Sequence, residues 1–134
     1  MKNEANPAIW LEYAESDLEL AKTGKTSKKI KYNTLCFHSQ QAVEKSVKAV
    51  LVFHKIDFPK THHIDFLFKI LKKEKINVPE IILETKYLSK FSVDSRYPGE
   101  ELEIEKSEYL ESIKSATLVL KWAKSILNKS NKLF

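Results

Sequence analysis

Residues 31–55, KYNTLCFHSQQAVEKSVKAVLVFHK, carry the pattern of a long core helix, and the rest of the chain can be arranged around it. With about 100° of rotation per residue, its apolar and small side chains fall on one broad face. These residues are Tyr32, Leu35, Cys36, Ser39, Ala42, Val43, Val47, Val50 and His54. The opposite side gathers Gln41, Glu44, Lys45 and Lys48, with His38 at its edge. The pattern predicts a helix packed in a core.

Helical periodicity continues on both sides of this segment. Further helices are predicted over about residues 7–22, 62–73, 79–91 and 106–128. Gly24 is expected to close the first of them and Thr61 to cap the third. The chain has only two Gly and four Pro, too few turn residues for a many-stranded sandwich. We therefore expect one all-α domain over residues 1–134, an antiparallel up-and-down bundle of four to five helices with its core at about 8–127.

The composition and the short motifs limit the expected location of the protein and the kinds of site it can carry. The lone Cys36 has no partner for a disulfide, the N-terminal segment lacks a secretory pattern, and no apolar run reaches membrane-spanning length. We expect a cytoplasmic protein with no membrane contact. The adjacent His62 and His63 point to different sides of a helix, so no metal site and no cofactor is predicted. A formal net charge of +5 suits an acidic or polyanionic partner.

Asp17 stands out because it interrupts the apolar stripe of the first predicted helix, between Ala14 and Ala21. Burying a carboxylate there without a partner would destabilise the fold by roughly several kcal/mol. We expect Asp17 to have a cationic or hydrogen-bonding partner. That partner can belong either to a structural ion pair or to a functional site.

Arg96 is the only arginine among 23 basic residues. A guanidinium binds carboxylate or phosphate through two parallel hydrogen bonds, which an ammonium cannot do. Its neighbour Tyr97 can stack on a base, so the loop SRYPG, residues 95–99, suits nucleotide or RNA recognition. The alternative is a bridge from Arg96 to Asp17 or Glu44 that pins the loop to the bundle.

Two further surfaces are candidates for binding. His38, Gln41, Lys45 and Lys48 recur at spacings of three or four and form a polar line, either a solvated helix face or part of a ligand site. Leu118 and Trp122 lie outside the main apolar stripe of the last predicted helix. They either contact another subunit or protein, which we expect, or are sandwiched between neighbouring helices.

Several segments, taken in order, resemble the HEPN domain family. They are WL at residues 10–11 with Ala14, Asp17-Leu18 and Ala21, FHSQQAVEK at 37–45 with Lys48-Ala49, PKTHH at 59–63 and SRYP at 95–98. The resemblance covers about residues 8–127. It implies a helical bundle, commonly dimeric, often paired with a minimal nucleotidyltransferase in a toxin–antitoxin-like module and linked to nucleotide binding.

The resemblance also implies an enzymatic alternative, since several HEPN families are metal-independent ribonucleases. Their motif is Arg, four to six residues, then His, but no His follows Arg96 in this chain. An imidazole would have to come from His38, His62 or a partner subunit. We therefore expect an accessory protein that binds a nucleotide or RNA phosphate through residues near Arg96. The alternatives are an endoribonuclease using Arg96 and His38, and a purely structural interaction bundle. The expected binding residues are Arg96, Tyr97, His38, Gln41, Lys45, Lys48 and His62.

Overall fold

The structure, a computed structural model, describes residues 6–92 and 103–132. Its described residues form five α-helices and no strand, which confirms the predicted all-α class. The α-helices are α1 (Pro7–Thr23), α2 (Tyr32–Phe53), α3 (Ile64–Lys73), α4 (Glu80–Leu83) and α5 (Lys106–Lys132). Two 3-10 segments, Gly24–Thr26 and Glu84–Phe91, follow α1 and α4.

Helix α2 is the centre of the bundle. It packs against α1, α5, α3 and the 3-10 helix Glu84–Phe91, so neighbours cover most of its circumference. Between Ala42 and Leu51, Lys45 is the one residue that is not buried. The alternative of a solvated helix face is therefore wrong at Lys48, which is 7% exposed, and neighbouring Glu44 is only 2% exposed. Periodicity shows which side is apolar but does not show how many neighbours a helix has.

The start of α1 is set by local capping and its end by packing against α2. At its start, the Asn6 side-chain oxygen accepts a hydrogen bond from the backbone N–H of Ala8 at 2.8 Å, and Pro7 takes the first helical position. At its end, Gly24 has a φ of −59°, which any residue can adopt. Gly24 is needed for a different reason, because the Cδ2 atom of buried Leu35 occupies the space that a Cβ would take.

The segments after α2 differ from the predicted helices at two points. Helix α3 begins at Ile64, where the backbone N–H donates to Ser89 Oγ at 3.2 Å, while Thr61 Oγ1 accepts from the N–H of His63 just before the helix. The predicted helix over 79–91 is one turn of α-helix followed by 3-10 helix. Ser89, 25 positions away in the sequence, thus helps to start α3, and rules for capping by neighbouring residues cannot predict such a contact.

Tyr109 joins α5 to the end of α1. Its hydroxyl donates to the carbonyl oxygen of Ala21 at 2.6 Å, and its ring stacks on Tyr32 with centroids 5.1 Å apart. Burial raises the pKa of Tyr109 above its ordinary value. One turn further along α5, Ser112 Oγ donates to the Tyr109 carbonyl at 2.7 Å and lies 3.0 Å from Ser39 Oγ of α2. These contacts fix α5 against both α1 and α2.

We expect Tyr109→Phe to lower the free energy of unfolding by about 1 kcal/mol, because one buried hydrogen bond is lost while the ring stays in place. Urea unfolding followed by circular dichroism measures the change. Tyr13→Phe is the matched control, since Tyr13 is 61% exposed. Equal stability of Tyr109→Phe and the wild-type protein would contradict the proposed role of the hydroxyl.

Candidate functional site

The first polar cluster lies between α1 and α2 and is centred on Asp17. Asp17 Oδ1 is 3.0 Å from His38 Nδ1, and Asp17 Oδ2 accepts a hydrogen bond from Lys45 Nζ at 2.6 Å. The side chains are 13%, 24% and 24% exposed for Asp17, His38 and Lys45. The Lys45 ammonium also lies 5.8 Å from the ring centroid of Tyr13. We call Asp17, His38 and Lys45 the Asp17 cluster; its carboxylate holds both α2 side chains against α1.

The second polar cluster is centred on Glu44 and is more deeply buried. Glu44 Oε2 accepts from Lys48 Nζ at 2.8 Å, and Glu44 Oε1 lies 3.0 Å from His62 Nδ1. Gln40 Nε2 donates to the same Oε1 at 3.1 Å. The side chains of Glu44 and Lys48 are 3% and 8% exposed, whereas that of His62 is 50% exposed. We call Gln40, Glu44, Lys48 and His62 the Glu44 cluster.

Gln40 connects the Glu44 cluster to the backbone before α3. Its Nε2 also donates to the carbonyl oxygen of His62 at 3.2 Å, and its Oε1 accepts from Gln41 Nε2 at 2.8 Å. Gln40 is completely buried, so these contacts satisfy its amide. Sequence reasoning missed Gln40 as a site residue. Its spacing of four and eight residues from Glu44 and Lys48, one helical line, could have indicated it.

Aromatic rings surround the Lys48 ammonium. Lys48 Nζ lies 5.7 Å from the ring centroids of both Trp10 and Phe58, which pack edge to face with centroids 6.3 Å apart. The Trp10 Nε1 atom is buried without a hydrogen-bond partner among the described residues. Lys48 is thus held by a carboxylate and two ring faces, an arrangement that stabilises a desolvated cation.

The charges of both clusters are balanced internally. Each lysine is matched by one carboxylate, so Lys45 and Lys48 add little net positive potential at the surface. His62 is the most exposed ionisable group of the Glu44 cluster, and His38 and Lys45 are the most exposed groups of the Asp17 cluster. An imidazole whose Nδ1 contacts a carboxylate is held in one orientation, with Nε2 as its second site of proton exchange. The arrangement therefore suits proton transfer at the histidines, and in the protonated form each imidazole can also donate a hydrogen bond from Nε2 to an anion.

The remaining candidates lie in different places. Arg96 and Tyr97 fall outside the residues that the structure describes. Leu118 and Trp122 are half-buried and pack against the core, and their role in a dimer or partner contact stays a prediction. Cys36 is fully buried, and burial raises the pKa of its thiol, which disfavours the nucleophilic thiolate.

The described residues hold neither a cluster of metal ligands nor a membrane-spanning helix. Over residues 6–92 and 103–132, no group of three or more His, Cys, Asp or Glu side chains is placed to hold a metal ion. None of the described helices combines the length and the apolar character that crossing a membrane requires.

Comparison with known proteins places this geometry in a family. The family model for the HEPN domain matches residues 8–126. Among solved structures, the archaeal HEPN homologue ST0689 is 32% identical with a TM-score of 0.72, and the match covers 90% of this chain and 97% of that one. The protein TT1696 from Thermus thermophilus is 25% identical with a TM-score of 0.75, covering 89% and 96%. Comparison with curated proteins finds no significant match. The matched segment includes every described residue of both polar clusters, and the chain belongs to the HEPN domain family.

Proposed function

We propose that this HEPN domain is an accessory protein that binds a nucleotide or an RNA phosphate at the surface carrying His38 and His62. Arg96 supplies the cation in this proposal, and Tyr97 stacks on a base. The observation that carries it is a pair of fixed imidazoles. Asp17 holds His38 of α2 and Glu44 holds His62 before α3, each with an Nδ1 to carboxylate distance of 3.0 Å. A protonated imidazole held in this way donates from Nε2 to an anion, and its fixed orientation limits the loss of side-chain entropy on binding.

The pairing of both α2 lysines with carboxylates supports a role for Arg96 as the cation that binds phosphate. Lys45 and Lys48 are paired with Asp17 and Glu44, so those lysines act as positioning groups and leave phosphate charge to another cation. Gln41 is half-buried and bonded to Gln40, and it lines the same face of α2. A guanidinium forms two parallel bonds to a phosphate, which suits the one arginine of the chain.

We expect Arg96→Ala to weaken binding of ATP or of a short single-stranded RNA by about tenfold or more, equivalent to roughly 1.4 kcal/mol or more. Isothermal titration calorimetry measures the change. Arg96→Lys separates charge from geometry, and Lys121→Ala on the exposed side of α5 is the matched control. Unchanged affinity in Arg96→Ala, or no binding of either ligand to the wild-type protein, would remove the ligand part of the proposal.

Membership of the HEPN family supports the proposed partners, a minimal nucleotidyltransferase in a toxin–antitoxin-like module and a second copy of this chain. Co-expression with a candidate minimal nucleotidyltransferase, followed by size-exclusion chromatography, tests both contacts. A complex at a fixed stoichiometry is the expected result. Separate elution of the two proteins at micromolar concentration would contradict the pairing, and a monomeric mass for this chain alone would contradict the homodimer.

A metal-independent endoribonuclease is the second candidate, favoured by the two carboxylate–imidazole pairs. A carboxylate that orients an imidazole is a common arrangement for general acid–base catalysis. The assay is RNA incubated with the protein and a chelator. Cleavage that is lost in Arg96→Ala and in either His38→Ala or His62→Ala would establish the enzyme. RNA that stays intact at high protein concentration would exclude the enzyme and favour the binding protein. If neither nucleotide nor RNA raises the thermal stability, the protein is a purely structural bundle.

A further inference from the structure

A groove separate from both polar clusters lies between α3, α4 and the 3-10 helix Glu84–Phe91. Its volume is about 970 Å³, at the upper end of the range for small-molecule sites. The floor is apolar, with Phe68 of α3 buried beneath it. The other apolar lining residues are Ile76, Val78, Leu83 and Tyr87.

The rim of this groove is basic. Lys69, Lys72, Lys75, Lys86 and Lys90 line it, against three carboxylates, those of Asp65, Glu80 and Glu84. Within the described part of the chain, the first four of these lysines form no ion pair, whereas Lys90 lies 3.7 Å from Glu108. The lysines are spread over α3, the segment after it and the 3-10 helix, so positive charge extends along the groove. An occupant with several separated negative charges matches such a rim better than a single compact anion does.

The walls of the groove are held by contacts that do not depend on an occupant. The Tyr87 hydroxyl lies 2.9 Å from Ser115 Oγ of α5, and Ser89 Oγ accepts from the backbone N–H of Ile64. These hydrogen bonds join the 3-10 helix to α5 and to the start of α3. A preformed groove loses little conformational entropy on binding, which favours a specific complex.

We propose that this groove binds an amphipathic, acidic helical segment of a partner protein. Apolar side chains of the segment lie on the floor over Phe68 and Val78, and its Asp or Glu side chains contact the lysines of the rim. This is the helix-in-groove mode of recognition, in which one face of a helix fills an apolar surface. Phosphate recognition fits less well here, because no arginine is among the described residues that line the groove and most of the exposed lining is apolar.

The probe is a synthetic helical peptide of about 14 residues, about 21 Å long, with Leu on one face and Glu on the other. We expect it to bind the wild-type chain and to shift the amide resonances of residues 65–90 of the ¹⁵N-labelled protein. Fluorescence anisotropy gives the affinity, which should fall as the salt concentration rises. A peptide with Lys in place of Glu, and one with Ser in place of Leu, should both fail to bind.

Lys72→Glu combined with Lys86→Glu should weaken peptide binding by about tenfold or more, because two attractive contacts become repulsive. Lys25→Glu combined with Lys121→Glu makes the same change of net charge away from the groove and should retain the wild-type affinity. His38→Ala changes the proposed nucleotide site without touching the groove and should bind the peptide normally, which separates the two sites. Equal weakening by both double variants, resonance shifts outside the groove, or RNA binding that competes with the peptide in the groove would each overturn the proposal.

Discussion

Glu44→Gln is expected to lower the free energy of unfolding by about 3–5 kcal/mol, the usual cost of breaking a buried ion pair from one side. The Lys48 ammonium would lose its carboxylate while its side chain stays 8% exposed. His62 and Gln40 would lose a charged hydrogen-bond acceptor at the same time. Urea unfolding followed by tryptophan fluorescence measures the effect, since Trp10 lies against Lys48.

The matched control is Glu15→Gln. Glu15 is bonded to Lys124 at 2.5 Å, but both side chains are about half exposed, so its loss should cost no more than about 1 kcal/mol. Adding Lys48→Met to Glu44→Gln removes the stranded cation and should recover part of the lost stability. A loss for Glu44→Gln as small as that of Glu15→Gln would show that water or another group replaces the carboxylate.

Gly24→Val is expected to destabilise the protein by about 1–3 kcal/mol, the usual cost of overpacking a core. The new Cβ would collide with Leu35 Cδ2, and Leu35 is only 1% exposed. The backbone itself is not strained, because the φ of Gly24 is −59°. Thermal and urea unfolding both report the change.

Lys25→Val is the control for this prediction, since Lys25 is exposed in the same 3-10 turn and should change stability by about 0.5 kcal/mol or less. The combination of Gly24→Val with Leu35→Ala should cost less than the two single changes added together, because Ala leaves room for the new side chain. Simple additivity would mean that Leu35 is not the group that excludes a Cβ at position 24.

In each polar cluster, one side chain contributes mainly to stability and another to the proposed binding. Asp17 and Glu44 each hold one lysine and one histidine of α2 or its neighbouring segment. The lysines balance the buried or half-buried carboxylates, and the histidines are the groups suited to contact a ligand. Substitutions at Lys48 are therefore expected to affect folding first, whereas substitutions at His62, which is 50% exposed, can affect binding in a folded protein.

Much of the fold was predictable from local pattern. Helix α2 extends from Tyr32 to Phe53, against a predicted range of about 31–55, because its apolar period is long and unbroken. The family was predictable as well, since the order of its short segments does not depend on packing. The segment over 79–91 was not predicted correctly, because 3-10 runs of this length are uncommon. Only the three-residue spacing of its buried Thr85, Leu88 and Phe91 indicates one.

The amino-acid sequence alone determined the helical class and the membership of the HEPN family, which follow from periodicity and from the order of residues. Tertiary packing decided that Glu44 and Lys48 are buried, that Gln40 belongs to the site, and that His38 and Lys45 share Asp17. The physical reason is that a helical pattern records the direction of each side chain but not the partner it meets. A polar side chain on α2 is solvated or buried according to whether α1 and the segment before α3 lie over it, and that depends on contacts between residues far apart in the chain.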